Sequence, residues 1–138
     1  MTKRQKSWVF SPPTPAKPKI APSVKTAVEQ QSQAFIDTVL KPKYIQPPPP
    51  DADFNYIVDI YSKWYRHYFY FCTKYACSGP HALAPFFEDK FARLECIDGR
   101  GRFNLAYKRY TEEWIEIYPD LSLDQCLSAI QNDPAFQP

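Results

Sequence analysis

From residue 54 to residue 75 the chain reads FNYIVDIYSKWYRHYFYFCTKY, a run without Gly, Pro, Ala, Leu or Glu. Aromatic and β-branched side chains of this density fit a pleated surface, so composition reads the stretch as two strands or one long bent strand. A second pattern runs through the same residues: Ile57, Tyr61, Trp64, Tyr68, Phe71 and Tyr75 also fall at helical spacing. The type of element over 61–75 decides the fold; composition favours strands, with a helix there as the alternative.

After Ser78-Gly79-Pro80 and an irregular stretch to about Asp89, Phe91 to Ile97 reads as a strand and Asp98-Gly99-Arg100-Gly101 as a hairpin turn. Gly supplies the positive φ that such turns need. Residues 102–110 then alternate, with Phe103, Leu105 and Tyr107 on one face and Asn104, Ala106 and Lys108 on the other. A polar turn at 111–113 leads into a last strand, Trp114 to Tyr118, with Ile115 and Ile117 toward the core, and Pro119-Asp120 is expected to end the sheet.

Two helices bracket this meander. Val24, Val28, Phe35 and Val39 share one face of a helix over 23–40, with Ser23 as its cap and Pro42 ending it near Leu40. Pro47 to Pro50 read as a stiff spacer within 41–53. At the other end, Ser122 and Gln125 form a capping box for a helix over 122–132 whose Leu123, Leu127 and Ile130 share a face, closed by Asp133-Pro134. The expected architecture is α+β, an antiparallel meander of four to five strands over 54–118 flanked by an N-terminal and a C-terminal helix, all in one domain over 23–138.

Residues 1–22 differ in kind. Pro12, Pro13, Pro15, Pro18 and Pro22 prevent helix or ladder from starting, which predicts a disordered or polyproline-like basic tail. Within it Trp8, Val9 and Phe10 make an apolar cluster suited to gripping a partner or the domain itself. The tail holds five cations and no acid, so the net charge of +2 leaves −3 for the remainder. The 10 Tyr, 10 Phe and 3 Trp stand against 3 Gly and 1 Met.

No apolar run is long enough to cross a membrane, and the first 25 residues lack a secretory signal, which places the chain in the cytoplasm. Cys72, Cys77, Cys96 and Cys126 are spaced unequally in a chain able to build a core without staples, so they read as reduced thiols.

The stretch Phe91-Ala92-Arg93-Leu94, then Phe103-Asn104-Leu105-Ala106-Tyr107 with Arg109 beyond, a strand from Trp114 to Tyr118-Pro119, and a capped helix ending in Asp133-Pro134 carry a resemblance in their order and spacing. Over residues 91–136 the chain resembles a family of small bacterial proteins classed as a domain of unknown function, number 3024. The resemblance implies an α+β fold, no known activity and no transferable site residues.

Three constellations bear on function. His67, Cys72, Cys77 and His81 lie within 15 positions, but zinc sites pair ligands two to four residues apart on tight turns, and buried thiols with a surface histidine account for them equally well. No metal or cofactor is expected. A Cys72 or Cys77 nucleophile with His81, or His67 and His81 as bases, is conceivable, yet nothing marks them as activated and enzyme chemistry is not favoured. The third is Lys63-Trp64-Tyr65-Arg66-His67-Tyr68, cations interleaved with rings. This predicts a non-catalytic module that binds a protein partner through an aromatic sheet face, using Lys63, Trp64, Tyr65, Arg66 and Tyr68 with Trp8 and Phe10 as auxiliary contacts. The alternative is a nucleic-acid partner held by residues 63–68 and the basic tail.

Overall fold

A computed structural model describes residues 19–47, 55–77 and 84–138. Residues 1–18 with Trp8 and Phe10, the prolines from 48 to 50, and His81 lie outside the described residues; residues 19–22, read from sequence as tail, instead join the domain, with Ile20 packed on the core and Pro22 opening the first helix. Five strands form one antiparallel sheet in chain order, β1 (Tyr56–Tyr65), β2 (Tyr68–Ala76), β3 (Phe86–Cys96), β4 (Arg102–Lys108) and β5 (Trp114–Ser122). Helix α1 (Pro22–Phe35) precedes the sheet, continuing through a π-helical turn (Ile36–Leu40) into α2 (Lys41–Tyr44); α3 (Leu123–Asn132) follows it, with a closing 3-10 turn (Pro134–Phe136).

The aromatic run is therefore a hairpin. Lys63 pairs with Tyr70 and Trp64 with Phe69 across it, and the chain reverses at Arg66, which takes a φ of 57°. A side chain in the left-handed region is strained relative to Gly. Here the return strand repays it: Phe69 and Phe71 are completely buried, each packed edge-on against the other at 5.6 Å.

All helical elements lie on one face of the sheet. Val28, Ile36, Leu40, Cys126, Leu127, Ile130 and Phe136 join Ile60, Phe69, Phe71, Leu94, Phe103 and Leu105 in a single buried cluster. Ile115, opposite Tyr107, and Ile117 lie on that covered side as their alternation required. The result is two layers, with the second sheet face covered by none of the described helices.

Four boundaries differ from the sequence reading. Ser23 does not cap α1, which starts at Pro22 with Ala21 in the cap position and no side-chain cap bond. Pro42 does not end the helix: the backbone widens to a π-turn, where the Lys41 N–H reaches the Ile36 carbonyl, and Pro42 enters the first turn of α2, a place where its missing N–H costs little. Residues 41–44 are thus helical rather than spacer. Lys41 then bridges Asp37 at 3.3 Å and Asp59 at 3.5 Å, tying this segment to β1.

Strand β3 starts at Phe86, five residues before Phe91, because Phe87 stacks on Tyr75 of β2 at 4.9 Å with planes 9° apart. Strand β5 passes through Pro119 and Asp120 to Ser122 because it is an edge strand, where a residue without N–H is tolerated. Asp120 adopts a φ of 53°, its N–H donates to Asn104 Oδ1 at 2.9 Å and its carboxylate accepts from Arg102 Nε at 2.9 Å.

The hairpin turn is as expected, with Gly99 and Gly101 at φ 72° and 115° and the Asp98 carboxylate accepting the N–H groups of Arg100, Gly101 and Arg102. So is the capping box of α3: Ser122 Oγ accepts from Gln125 N at 3.2 Å and Gln125 Oε1 from Ser122 N at 2.9 Å. Ser122→Ala is expected to cost about 1 kcal/mol in a urea unfolding titration, with Ser122→Thr near wild type.

A clasp at the far end of α3 gives stability a pH dependence. The Tyr118 hydroxyl donates to Asp133 Oδ2 at 2.6 Å and the Ala135 N–H to Oδ1 at 3.0 Å. First the phenol and then this N–H hold the Asp133 carboxyl below its ordinary value. A depressed folded value stabilises the fold above the unfolded value, about 4, and the contribution is lost as pH falls through the folded one. Tyr118→Phe should therefore lose less stability than wild type between pH 5 and pH 3, measured as the shift of the urea midpoint.

Among the described residues no helix is long and apolar enough to cross a membrane.

Candidate functional site

Strand alternation decides which aromatic side chains reach the uncovered face. Successive residues of β1 point to opposite sides, so Lys63 and Tyr65 share one face while Trp64 takes the other. Trp64 packs on Phe69 at 4.9 Å and donates from Nε1 to the Lys25 carbonyl at 3.3 Å, pinning α1 to β1. Trp64, assigned to the binding face from sequence, is a core-side residue. Lys63 and Tyr65 are exposed, as is Arg66, whose guanidinium lies 5.2 Å from the Tyr65 ring; Tyr68 is half-buried.

The ladder register assembles the rest. Lys63 stands opposite Tyr70, Tyr70 opposite Arg93, Arg93 opposite Ala106, and Ala106 opposite Glu116, a row across all five strands. Ala106 is small and buried, which leaves room for Trp114 to lean over β4 and approach Tyr70 at 5.7 Å. The Arg93 guanidinium sits between two rings, 4.8 Å from Tyr68 and 5.2 Å from Trp114. Lys90 covers Tyr70 at 5.4 Å. Sequence reasoning missed Tyr70, Lys90, Arg93 and Trp114 because they come from three strands and meet only through register.

A cation over a ring face is attracted by the ring's quadrupole. Among the described residues, Lys63, Arg66, Lys90 and Arg93 form no ion pair. Lys108, by contrast, is neutralised. It contacts Asp89 and lies 3.5 Å from Glu112; partial burial works against its charge, and these carboxylates outweigh that and raise it above the ordinary lysine value. Burial lifts the Tyr70 phenol although the neighbouring Arg93 works the other way, so Tyr70 stays a neutral phenol at neutral pH.

Acids also stand beside the platform: Glu88, Asp89 and Glu112 line a depression together with Lys63, Lys90 and Lys108. Asp89 serves Lys108, Glu95 lies 3.0 Å from His67 Nε2, and Glu116 stands on the β5 edge. A depression of about 330 Å³ lies between Lys63, Tyr65, Tyr70 and Lys90.

His67 is not the surface histidine that its sequence context suggests. It is 7% exposed, with its ring 4.1 Å from that of Tyr68 and its carbonyl accepting the Cys96 N–H at 2.9 Å. The left-handed Arg66 folds His67 back over the sheet end, where Glu95 meets it. Cys72 lies buried on the uncovered face among Tyr61, Lys63 and Lys90, and burial pushes its thiol above the ordinary value despite those lysines. Such a thiol is a poor nucleophile. Cys126 is pushed up by burial to about 12, and all four cysteines are unpaired.

Fold and site together define a two-layer α+β domain whose sheet presents an open aromatic and basic face. The family described as Domain of unknown function (DUF3024) matches residues 20–138, and the chain belongs to it. No curated protein and no solved structure matches it.

Proposed function

We propose that the open sheet face binds single-stranded nucleic acid without catalysing a reaction on it. The observation that carries this reading is the alternation of four unpaired cations, Lys63, Arg66, Lys90 and Arg93, with Tyr65, Tyr68, Tyr70 and Trp114 on a face that no described helix covers. Spacing of this kind suits a flexible polyanion whose bases stack while its phosphates meet the cations. Charge helps to localise the strand: residues 19–138 carry a net −2, because four of the chain's cations precede Lys19, so attraction must come from this patch and the tail rather than from the domain as a whole. The unpaired thiols agree with a reducing compartment, and we place the protein in the cytoplasm.

Anisotropy of a labelled single strand titrated with the full chain tests the reading. If about three phosphates are neutralised, affinity should fall roughly 20-fold between 50 and 200 mM salt. No binding at the lower salt concentration would end it.

The second reading is a protein partner on the same face. It is favoured by the capping of Tyr68, Tyr70 and Trp114 by Arg93 and Lys90, which leaves less ring area for bases and more for an interdigitating side-chain surface. An aromatic protein interface keeps its affinity across that salt range, whereas a phosphate-driven one does not.

A further inference from the structure

A cavity of about 500 Å³ opens at the end of the sheet where β1 turns into β2. Its walls come from Lys19, Lys25, Tyr65, Arg66, His67 and Tyr68, with Ile20 completing the apolar side. Among the described residues no carboxylate lines it. Lys19, Lys25 and Arg66 form no ion pair among the described residues. Lys25 is positioned rather than loose, since its ammonium lies 5.5 Å from the Trp64 ring and its carbonyl holds the Trp64 indole N–H. Glu95 stands behind the lining and takes His67 Nε2, which orients the imidazole.

Three lysine and arginine charges beside two phenol rings and an isoleucine suit a small anion carrying a planar group, and the volume falls within the range of ligand pockets. Tyr65 and Tyr68 belong both to this cavity and to the open face, so the two sites are continuous around the end of the hairpin.

We infer that the cavity receives the phosphorylated end of a bound strand, its terminal phosphate between Lys19, Lys25 and Arg66 and its terminal nucleoside against Tyr65. The inference rests on the nucleic-acid reading of the open face and adds to it an ability to recognise strand ends.

The test uses the full chain and three labelled strands of one sequence, about ten nucleotides long, a length matched to a single binding face. One carries a 5′-phosphate, one a 3′-phosphate and one neither. One of the two phosphorylated strands should bind roughly tenfold tighter than the strand without a terminal phosphate. In the double variant Lys19→Gln/Lys25→Gln that preference should shrink to less than about threefold, with affinity for the unphosphorylated strand kept within about twofold; the retained binding reports an intact fold. Equal affinity of wild type for all three strands would overturn the end site while leaving strand binding by the face in place. Failure of every strand to bind would overturn both.

Discussion

Replacing Lys63 and Lys90 together by Glu is expected to weaken single-strand binding on the order of 100-fold at 0.1 M salt and to flatten its salt dependence. Lys63 is exposed and Lys90 lies over Tyr70 at the rim of the same depression, so each reversal acts on the strand's path and neither empties the core. The charge change is four units on a patch whose remaining free cations are Arg66 and Arg93. Lys63→Gln/Lys90→Gln should fall between wild type and the reversal, because it removes attraction without adding repulsion. Thermal melting of the variants should fall by only a few degrees, since losing the Lys90–Tyr70 contact costs about 1 kcal/mol. Unchanged affinity in the reversal variant would separate binding from this face.

Phe71→Ala should be the most damaging single change to the fold. The ring is fully buried and meets Phe35 of α1 at 6.5 Å, Phe69 at 5.6 Å and Phe91 at 6.2 Å, so it joins the helical layer to two strands. Deleting a buried phenyl costs about 3–5 kcal/mol from lost transfer energy and the cavity left behind. For a domain of this size that lowers Tm on the order of 15 °C. Phe71→Leu should recover more than half of the loss. Calorimetry on the three proteins measures both effects.

These two predictions rest on opposite faces of one sheet, and the sequence showed its aromatic hairpin better than its faces. Composition favoured sheet over 54–75, because β-branched and aromatic residues without Ala, Leu or Glu have little to gain from a helix, while periodicity left a helix over 61–75 open. The competing helical spacing arises because Ile57, Tyr61, Trp64, Tyr68, Phe71 and Tyr75 are drawn from an almost unbroken aromatic run, where many periods fit. The turn itself was hidden, since Arg66 occupies a left-handed conformation for which the chain offers no Gly, Asn or Asp. Without the turn position, the pairing of Lys63 with Tyr70 and the inward direction of Trp64 could not be read.

The capping box, the Gly99 and Gly101 turn and the alternation of Phe103, Leu105 and Tyr107 were legible because each depends on residues close in sequence. The misplaced boundaries share the opposite origin. Pro42 and Pro119 are breakers by local rule, yet a π-turn accommodates one and an edge position the other, and both solutions depend on tertiary surroundings. The cation–ring platform lies furthest from local reading. Arg93 meets Tyr68 and Trp114 only after four strands are in register, one of them carrying an extra residue opposite Phe71 and Cys72.

The central claim, that the open sheet face is where a strand lies, is tested most directly by photo-crosslinking a strand containing 4-thiouridine to the full chain and mapping the adducts by mass spectrometry. Adducts at Tyr65, Tyr68, Tyr70 or Trp114, lost under excess unlabelled strand, are the predicted result. Adducts confined to the outward surfaces of α1 and α3, with none on those four rings, would contradict it.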